Sequence, residues 1–276
     1  MNNPPVLEIR RAGFRNQGAE LMLRAAVRRL RDRYVGARVV VEPNHEATFE
    51  ERMSLGVFQK LVLRVKGVDL SGLAEWVPGR LRAKYGLITD RELDAVFDAS
   101  GFSYSDQWGI HGVKAAKELA TSCRRWKKQG TRIFLLPQAF GPFKNPDLRS
   151  AMRTVLECAD LVFARDRQSF DQLAELGSGS NALRLAPDFT AELAHASKAT
   201  TAPREGFFII PNARMVDSEG GVAPELYLDF IVRVAEYAHQ CEQHPFFLIH
   251  EGDGDRRLAE AVAQQVPFPL EIVEED

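Results

Sequence analysis

Short apolar runs alternate with amphipathic helical patterns along most of the sequence. The alternation is clearest between residues 94 and 190. The strands predicted there are Ala95–Ala99, Arg132–Leu136, Leu161–Ala164 and Ala182–Leu185, and the helices are His111–Gln129, Pro146–Cys158 and Asp166–Leu176. Strands separated by helices at this spacing predict an α/β fold with a parallel sheet and crossover helices.

The same alternation is present at the start of the chain and after a polar segment near residue 200. Strand Val6–Ile9 precedes helix Ala19–Leu30, and Lys198–Glu205 is a predicted linker. Beyond it the pattern predicts strands Phe207–Ile210, Phe246–Ile249 and Leu270–Val273 with helices Pro224–Cys241 and Asp253–Gln265. We therefore expect a first domain over residues 1–200 and a second over residues 201–276. The second has about three strands, where a Rossmann-like half has roughly five or six.

Two segments of the chain allow more limited or more specific predictions. Helical spacing recurs around Phe49–Leu61 and Leu73–Lys84, although the order of elements in that part of the chain stays open. In the predicted helix Pro224–Cys241, one apolar face repeats at helical spacing and is expected to pack on a sheet. That face consists of Tyr227, Phe230, Ile231, Val234, Ala238 and Cys241.

Composition removes several classes of function. Acidic residues (38) and basic residues (36) nearly cancel, so no overall field favours nucleic acid or an anionic membrane. The beginning of the chain lacks a signal pattern and no apolar run is long enough to span a bilayer, which predicts a cytoplasmic protein. The three cysteines are expected to be small buried side chains in a reducing compartment. The histidines lack metal-ligand spacing and a Gly-x-Ser-x-Gly elbow is absent, so zinc chemistry and serine hydrolysis are disfavoured.

In a parallel α/β sheet, ligands bind beyond the carboxyl ends of the strands, where helix N-termini present free N–H groups. The first such turn contains Arg15, Asn16 and Gly18, and it is neither a dinucleotide-binding glycine motif nor a Walker loop. Its glycine permits close approach of a ligand, the helix start favours an anion, and Arg15 adds positive charge. The alternative is a tight strand–helix turn with a solvated arginine.

Two further predicted turns contain the other candidate binding residues of the first domain. One contains Gly101 and continues to Asp106 and Trp108, a carboxylate and an aromatic ring suited to hydrogen-bonding and stacking on a sugar. A packed loop is the alternative. The next turn contains Gln138 and Gly141.

A fourth turn begins with Arg165, followed by Asp166, which is a good N-cap for the next helix. In a parallel sheet Arg165 would point toward the ligand-binding edge. An ion pair with Asp188, which also follows a strand, is an equal alternative. Such a pair can order a site without touching substrate.

Taken in order, these loops resemble the polysaccharide pyruvyl transferase family. The similar segments are Asn16–Glu20, Asp94–Gly101 with Asp106–Trp108, Leu136–Phe143, Phe163–Ser169 and Ala186–Phe189. The resemblance extends over residues 6–255 and implies a GT-B-like fold, with two Rossmann-like domains and the active site between them.

The resemblance also implies an enzyme that moves a pyruvyl group from phosphoenolpyruvate to a sugar of a cell-surface polysaccharide or its precursor, without a metal or an organic cofactor. The donor carries a carboxylate and a phosphate, so cationic groups should converge on it. Arg15, Arg165 and the turn with Asn16 are the candidates. His250 is either an acid from the second domain or a loop histidine, and Asn212 joins the substrate-binding candidates.

The sequence departs from the family at two points. Ser100 precedes Gly101 where family members have paired glycines, and the chain ends at Asp276, before the late Arg-x-His motif of the family. The sequence is therefore either a fragment or a natural short form with an incomplete donor site. Two other functions also stay open: a GT-B glycosyltransferase using a nucleotide sugar, which would share the architecture, and a truncated non-catalytic relative. An open sheet face in the second domain would also need a cover such as another subunit.

Overall fold

A computed structural model of the chain describes residues 4–14, 16–43, 48–62, 64–65, 68–69, 75–177, 182–194, 206–216, 221–250 and 252–274. The chain divides into two compact units, Met1–Ser197 and Lys198–Asp276. The predicted linker Lys198–Glu205 and the candidate Arg15 lie outside the described residues.

The first unit is an α/β structure. Its strands are β1 (Val6–Arg10), β2 (Arg38–Val41), β3 (Phe58–Lys60), β4 (Arg64–Val65), β5 (Val68–Asp69), β6 (Leu87–Ile88), β7 (Ala95–Asp98), β8 (Arg132–Gln138), β9 (Leu161–Ala164) and β10 (Leu183–Leu185). Its helices are α1 (Gln17–Arg33), α2 (Phe49–Ser54), α3 (Gly79–Lys84), α4 (Gly109–Gln129), α5 (Pro146–Cys158), α6 (Arg167–Ala174) and α7 (Ala191–Ala194).

Eight of these strands form one sheet in the order β10-β9-β8-β7-β1-β2-β3-β6. Every neighbouring pair in it is parallel, whereas β4 and β5 form a separate antiparallel pair. Hydrophobic clusters cover both faces of the sheet. On one face, α4 buries Ala116, Ala120, Cys123 and Trp126, and Val113 is partly buried there. The predicted parallel sheet is therefore confirmed.

The segment between β2 and β7 differs from its prediction. The helical spacing around Phe49–Leu61 corresponds to a helix only in its first half, since α2 ends at Ser54 and Phe58–Lys60 is a strand between β2 and β6. In the range Leu73–Lys84, α3 is the predicted helical fragment, and Leu73 and Ala74 lie outside the described part of the chain. Strand pairing in the sheet, rather than local apolar spacing, determines these short elements.

A group of charged side chains lies inside the first unit. Lys60 Nζ is 2.6 Å from Glu8 Oε2 and 2.8 Å from Asp90 Oδ1. Asp90 also accepts hydrogen bonds from Arg125 Nε at 2.6 Å and Trp126 Nε1 at 3.0 Å. Glu8 is fully buried, and burial raises the pKa of its carboxyl group above 4.5 despite the nearby lysine. Buried charges of this kind are tolerated because they are paired.

The Asp90 carboxylate should lose its stabilising effect in acid. Burial alone would raise its pKa, but the charge and hydrogen bonds of Lys60 and Trp126 outweigh burial and lower the pKa to about 2. Because this pKa is below that of the unfolded chain, the stabilisation is present above about pH 4 and disappears as the pH falls to about 2, a change of about 2 kcal/mol. In urea unfolding, the stability difference between wild type and Asp90→Asn should shrink by that amount. An unchanged difference would contradict the prediction.

The second unit is a smaller α/β structure. It contains β11 (Phe207–Ile209), α8 (Pro224–Gln240), β12 (Pro245–Ile249), α9 (Gly252–Ala263) and β13 (Glu271–Glu274). Its strands form a parallel sheet in the order β11-β12-β13. The prediction of three strands alternating with two helices is confirmed for the described residues.

Some apolar side chains are more exposed than the sequence predicted. On α8, Ile231 and Ala238 are buried as expected, but Phe230 is 60% exposed. The prediction of buried cysteines is correct for Cys123, whereas Cys158 is half-buried and Cys241, just beyond α8, is exposed. Helical spacing identifies an apolar face but not how wide a part of it the sheet covers. Within the described residues, no helix combines the length and apolarity needed to cross a bilayer.

Candidate active site

Five of the loops with candidate residues lie at one edge of the first sheet. They follow β1, β7, β8, β9 and β10, which are consecutive neighbours in the sheet. Since all five strands are parallel, their carboxyl ends lie along the same edge. We call these loops the carboxyl-edge turns. Ligands of open α/β sheets bind in this position.

The turn after β1 leads into α1 through a side-chain cap. The Ala19 amide donates a hydrogen bond to Asn16 Oδ1 at 3.0 Å. Gly18 lies in the first turn of α1, which carries the acidic residue Glu20. The predicted strand–turn–helix geometry is thus present, and the start of a long helix favours an anionic ligand.

The turn after β7 is anchored by the buried Asp98. Its carboxylate accepts hydrogen bonds from Tyr104 Oη at 2.8 Å and Gln138 Nε2 at 3.2 Å. Arg10 Nε, at the end of β1, lies 3.6 Å from the same carboxylate. Ser100 Oγ hydrogen-bonds to Gln138 Oε1. Burial raises the pKa of Tyr104, so its phenol remains a protonated donor. These groups, the Asp98 cluster, join the turns after β1, β7 and β8.

Two glycines allow the turns after β7 and β8 to approach each other closely. Gly101 has a φ of 70° and its carbonyl oxygen accepts a hydrogen bond from the Ala139 amide at 2.9 Å. Gly141 has a φ of 78° and donates to the Tyr104 carbonyl oxygen at 3.0 Å. A side chain at Gly141 would also meet Gln172 Cβ at 3.0 Å. Both positions require the left-handed backbone that glycine adopts without strain.

Asp106 connects the start of α4 to the start of α5. Its carboxylate accepts hydrogen bonds from the Asn145 amide at 3.1 Å and from the Lys144 amide. Trp108, two residues further on, is half-buried and packs edge-to-face on Phe102, with ring centroids 5.7 Å apart. Both residues thus have packing roles in the loop, which is the alternative that their sequence left open. A role in binding sugar stays a prediction.

Arg165 occupies the turn after β9. Its amide donates to the Gln138 carbonyl oxygen at 3.0 Å, and its guanidinium pairs with Asp188 in the turn after β10, with Nη1 3.4 Å from Oδ2. More than a third of each of these two side chains is exposed. Asp166 caps α6 as predicted, since its Oδ1 accepts from the Ser169 amide at 2.7 Å. The ion pair is present, and the guanidinium is also accessible at the carboxyl edge.

Asn212 and His250 belong to the second unit, where they follow the neighbouring parallel strands β11 and β12. Asn212 Oδ1 accepts from the Arg214 amide at 2.9 Å, and the Asn212 amide donates to Tyr227 Oη at 3.1 Å. His250 is exposed. Within this unit the two residues lie at the carboxyl edge of the small sheet.

Sequence reasoning missed Arg10 and Tyr104, which organise the first unit's edge, and it included Ser169 in a family-like segment without giving it a role. Ser169 Oγ accepts from the Phe140 amide at 2.9 Å, which ties the turn after β8 to α6. A signal was present for Arg10, because a charged residue inside a buried strand such as β1 needs a partner. Among the described residues, no group of histidine, cysteine and carboxylate side chains could hold a metal ion.

The architecture is similar to that of several nucleotide-sugar enzymes. The UDP-GlcNAc 2-epimerase from Neisseria meningitidis, bound to UDP-GlcNAc, has a TM-score of 0.56 and 11% identity, over 99% of this chain and 72% of that one. The epimerase from Methanocaldococcus jannaschii has a TM-score of 0.57 and 12% identity, over 98% and 73%. S. aureus MnaA with UDP has a TM-score of 0.54 and 12% identity, over 99% and 70%. At this identity the likeness defines the fold class, which is α/β and GT-B-like.

The sequence itself is more specific than the fold. Residues 16–266 match the family described as polysaccharide pyruvyl transferase. The chain therefore belongs to the polysaccharide pyruvyl transferase family, and it is an enzyme of that family by its sequence. No curated protein sequence matches it.

Proposed function

We propose that this chain transfers a pyruvyl group from phosphoenolpyruvate to a sugar of a cell-surface polysaccharide or its precursor. The observation that carries the proposal is the meeting of the five carboxyl-edge turns along consecutive parallel strands. Phosphoenolpyruvate is small and carries two acidic groups, so several hydrogen-bond donors and positive charges must lie close together to bind it. This edge supplies helix N-termini and a cationic side chain.

The donor's anionic groups would be held by the start of α1 and by Arg165. Amide groups at a helix start are suited to a phosphate or carboxylate, and an accessible guanidinium forms charge-assisted hydrogen bonds to either. Asp188 holds Arg165 3.4 Å away and would orient it for the incoming anion. Arg15, adjacent to the α1 cap, is proposed to add a further positive charge.

The other candidate residues would either maintain the shape of the turns or bind the acceptor sugar. Gln138, Gly101 and Gly141 would contribute through the backbone shape that they maintain, because the Gln138 amide already binds Asp98. Trp108 and Asp106 are proposed to lie beside the acceptor sugar. Asn212 and His250, at the carboxyl edge of the small sheet, are also proposed to bind substrate.

The reaction needs acid and base catalysis and no redox step. A proton is added to the methylene carbon of phosphoenolpyruvate, and a sugar hydroxyl attacks the adjacent carbon as a base removes the hydroxyl proton. The bond from that carbon to the phosphate oxygen breaks. A second sugar hydroxyl then attacks the same carbon and closes a cyclic ketal, and its proton leaves with the departing phosphate as hydrogen phosphate. His250 is the proposed proton donor, and no metal or organic cofactor is included in the proposal.

Binding of phosphoenolpyruvate is the first test. Phosphoenolpyruvate should raise the melting temperature of the chain, and Arg165→Ala should weaken its affinity by about 10–100-fold through loss of a charge-assisted hydrogen bond. Arg167→Ala is the matched control, since Arg167 is exposed on α6 and pairs with Asp171 at 3.1 Å. That variant should bind like wild type.

Turnover is the second test. With phosphoenolpyruvate and a bacterial glycan precursor, the wild type should release phosphate and Arg165→Ala should release it much more slowly. Some of the structural neighbours contain UDP or UDP-GlcNAc, so UDP is the competing ligand to assay. Stabilisation by UDP without stabilisation by phosphoenolpyruvate would favour a nucleotide-sugar enzyme. Stabilisation by neither would favour a non-catalytic relative.

A further inference from the structure

Residues 76–85 expose large apolar and basic side chains together at one end of the first sheet. Trp76 is 84% exposed, Leu81 49% and Tyr85 61%. Arg80 and Lys84 lie between them and are also exposed. We call residues 76–85 the basic–aromatic segment. It precedes β6, the strand at the end of the sheet opposite β10.

The charge of this segment differs from that of the whole chain. Residues 76–85 contain the basic side chains of Arg80, Arg82 and Lys84 and no aspartate or glutamate, whereas the chain has a net charge of −2. Arg82 pairs with Glu92, and Arg80 and Lys84 are exposed. The positive charge is therefore a local feature. These charges can attract an anionic surface that lies within about 10 Å, because salt screens exposed charges at greater distances.

The segment is also held in a defined conformation. Arg82 Nε donates to the Val77 carbonyl oxygen at 3.1 Å, and its Nη1 pairs with Glu92. The Leu81 amide donates to the Pro78 carbonyl oxygen at 2.9 Å. Arg82 therefore fastens the loop that carries Trp76 to α3, so the exposed side chains are not those of a loose loop.

We propose that the basic–aromatic segment docks the protein on an anionic phospholipid membrane surface. Tryptophan and tyrosine favour the headgroup region, where the ring is in an apolar environment and the polar atom in water. Arginine and lysine beside them are attracted to anionic headgroups. A bilayer surface satisfies both preferences at once.

The charges disfavour a second copy of the chain as the partner. A symmetric contact through this segment would bring the Arg80 and Lys84 side chains of both copies into one interface, and like charges repel. Docking would keep the enzyme at the surface where lipid-linked sugars are found, but the inference does not depend on the proposed reaction. The binding test below needs neither phosphoenolpyruvate nor a sugar.

Sedimentation with vesicles tests the proposal. The wild type should bind vesicles of mixed phosphatidylglycerol and phosphatidylcholine, bind pure phosphatidylcholine far less, and dissociate at high salt. Arg80→Gln and Lys84→Gln should each weaken binding about five-fold, and Trp76→Ala about five- to ten-fold. Lys128→Gln and Tyr237→Ala, which change exposed residues elsewhere, are the matched controls and should bind like wild type.

Tryptophan fluorescence provides an independent measurement. Of the three tryptophans, Trp126 is fully buried and Trp76 is the most exposed, so vesicles should shift the emission to shorter wavelength in wild type and not in Trp76→Ala. Failure to bind the anionic vesicles would overturn the proposal, as would equal binding by all variants. A concentration-dependent dimer that Trp76→Ala dissociates, without vesicle binding, would assign the segment to a protein contact instead.

Discussion

Lys60→Met should destabilise the first unit by about 3–5 kcal/mol, because it leaves buried carboxylates without their positive partner. Lys60 Nζ lies 2.6 Å from Glu8 Oε2 and 2.8 Å from Asp90 Oδ1. Asp90 retains Arg125, but Glu8 has no exposed surface through which water could replace the lysine. Urea unfolding followed by the fluorescence of the adjacent Trp126 measures the loss.

A surface lysine provides the control. Lys117 Nζ lies 2.7 Å from Asp147 Oδ2, and more than half of both side chains is exposed. Lys117→Met should therefore cost less than about 1 kcal/mol. The stability loss of Lys60→Met should also shrink as the pH falls. Burial raises the pKa of Glu8, so the unpaired carboxylate takes up a proton in the folded state and no longer carries a buried charge. Equal losses for the two lysine variants would show that burial does not strengthen the Lys60 pairs.

Asp98→Ala should have the second large effect, on stability and on the candidate site together. The substitution leaves Arg10 buried without the carboxylate that lies 3.6 Å away, which costs about 3–5 kcal/mol. It also removes the acceptor shared by Tyr104 and Gln138. The turns after β7 and β8 lose their common anchor, so stabilisation by phosphoenolpyruvate should fall as well.

A graded series separates these effects. Asp98→Asn keeps an oxygen acceptor for Gln138 and should retain more stability than Asp98→Ala. Tyr104→Phe removes one hydrogen bond and should cost about 1–3 kcal/mol. Asp147→Ala, on the surface of α5, is the control and should resemble wild type in both measurements. If Asp98→Ala binds phosphoenolpyruvate like wild type at a temperature where it is folded, the Asp98 cluster does not position the site.

The sequence was most informative where an element's pattern is long or its caps are strong. Helix α5 has the predicted bounds Pro146–Cys158, with Asn145 as its cap and proline in the first turn. Strand β9 also matches its prediction. These elements have period and end signals in adjacent residues, so no distant contact is needed to recognise them.

The short strands were less predictable from local pattern. The sequence pattern predicts no element at Arg38–Val41, although it is a buried strand beside β1. Phe58–Lys60 lies in a range with helical spacing, and it is a strand because β2 and β6 pair with it. Runs of three or four residues show little periodicity, and they are recognised from sequence only where well-capped helices flank them, as α5 and α6 flank β9. For β2 and β3 the pairing that decides the structure comes from distant parts of the chain.

The sequence by itself determined the α/β class, the family and the positions of the loops along the chain, because strand–helix alternation and loop motifs are local properties. Only the tertiary structure decided which groups satisfy one another. It joined Asp98 to Arg10 and Tyr104, and Lys60 to Glu8, across long stretches of chain. Burial makes such pairing necessary, but several partners of the right charge exist, and three-dimensional packing selects among them.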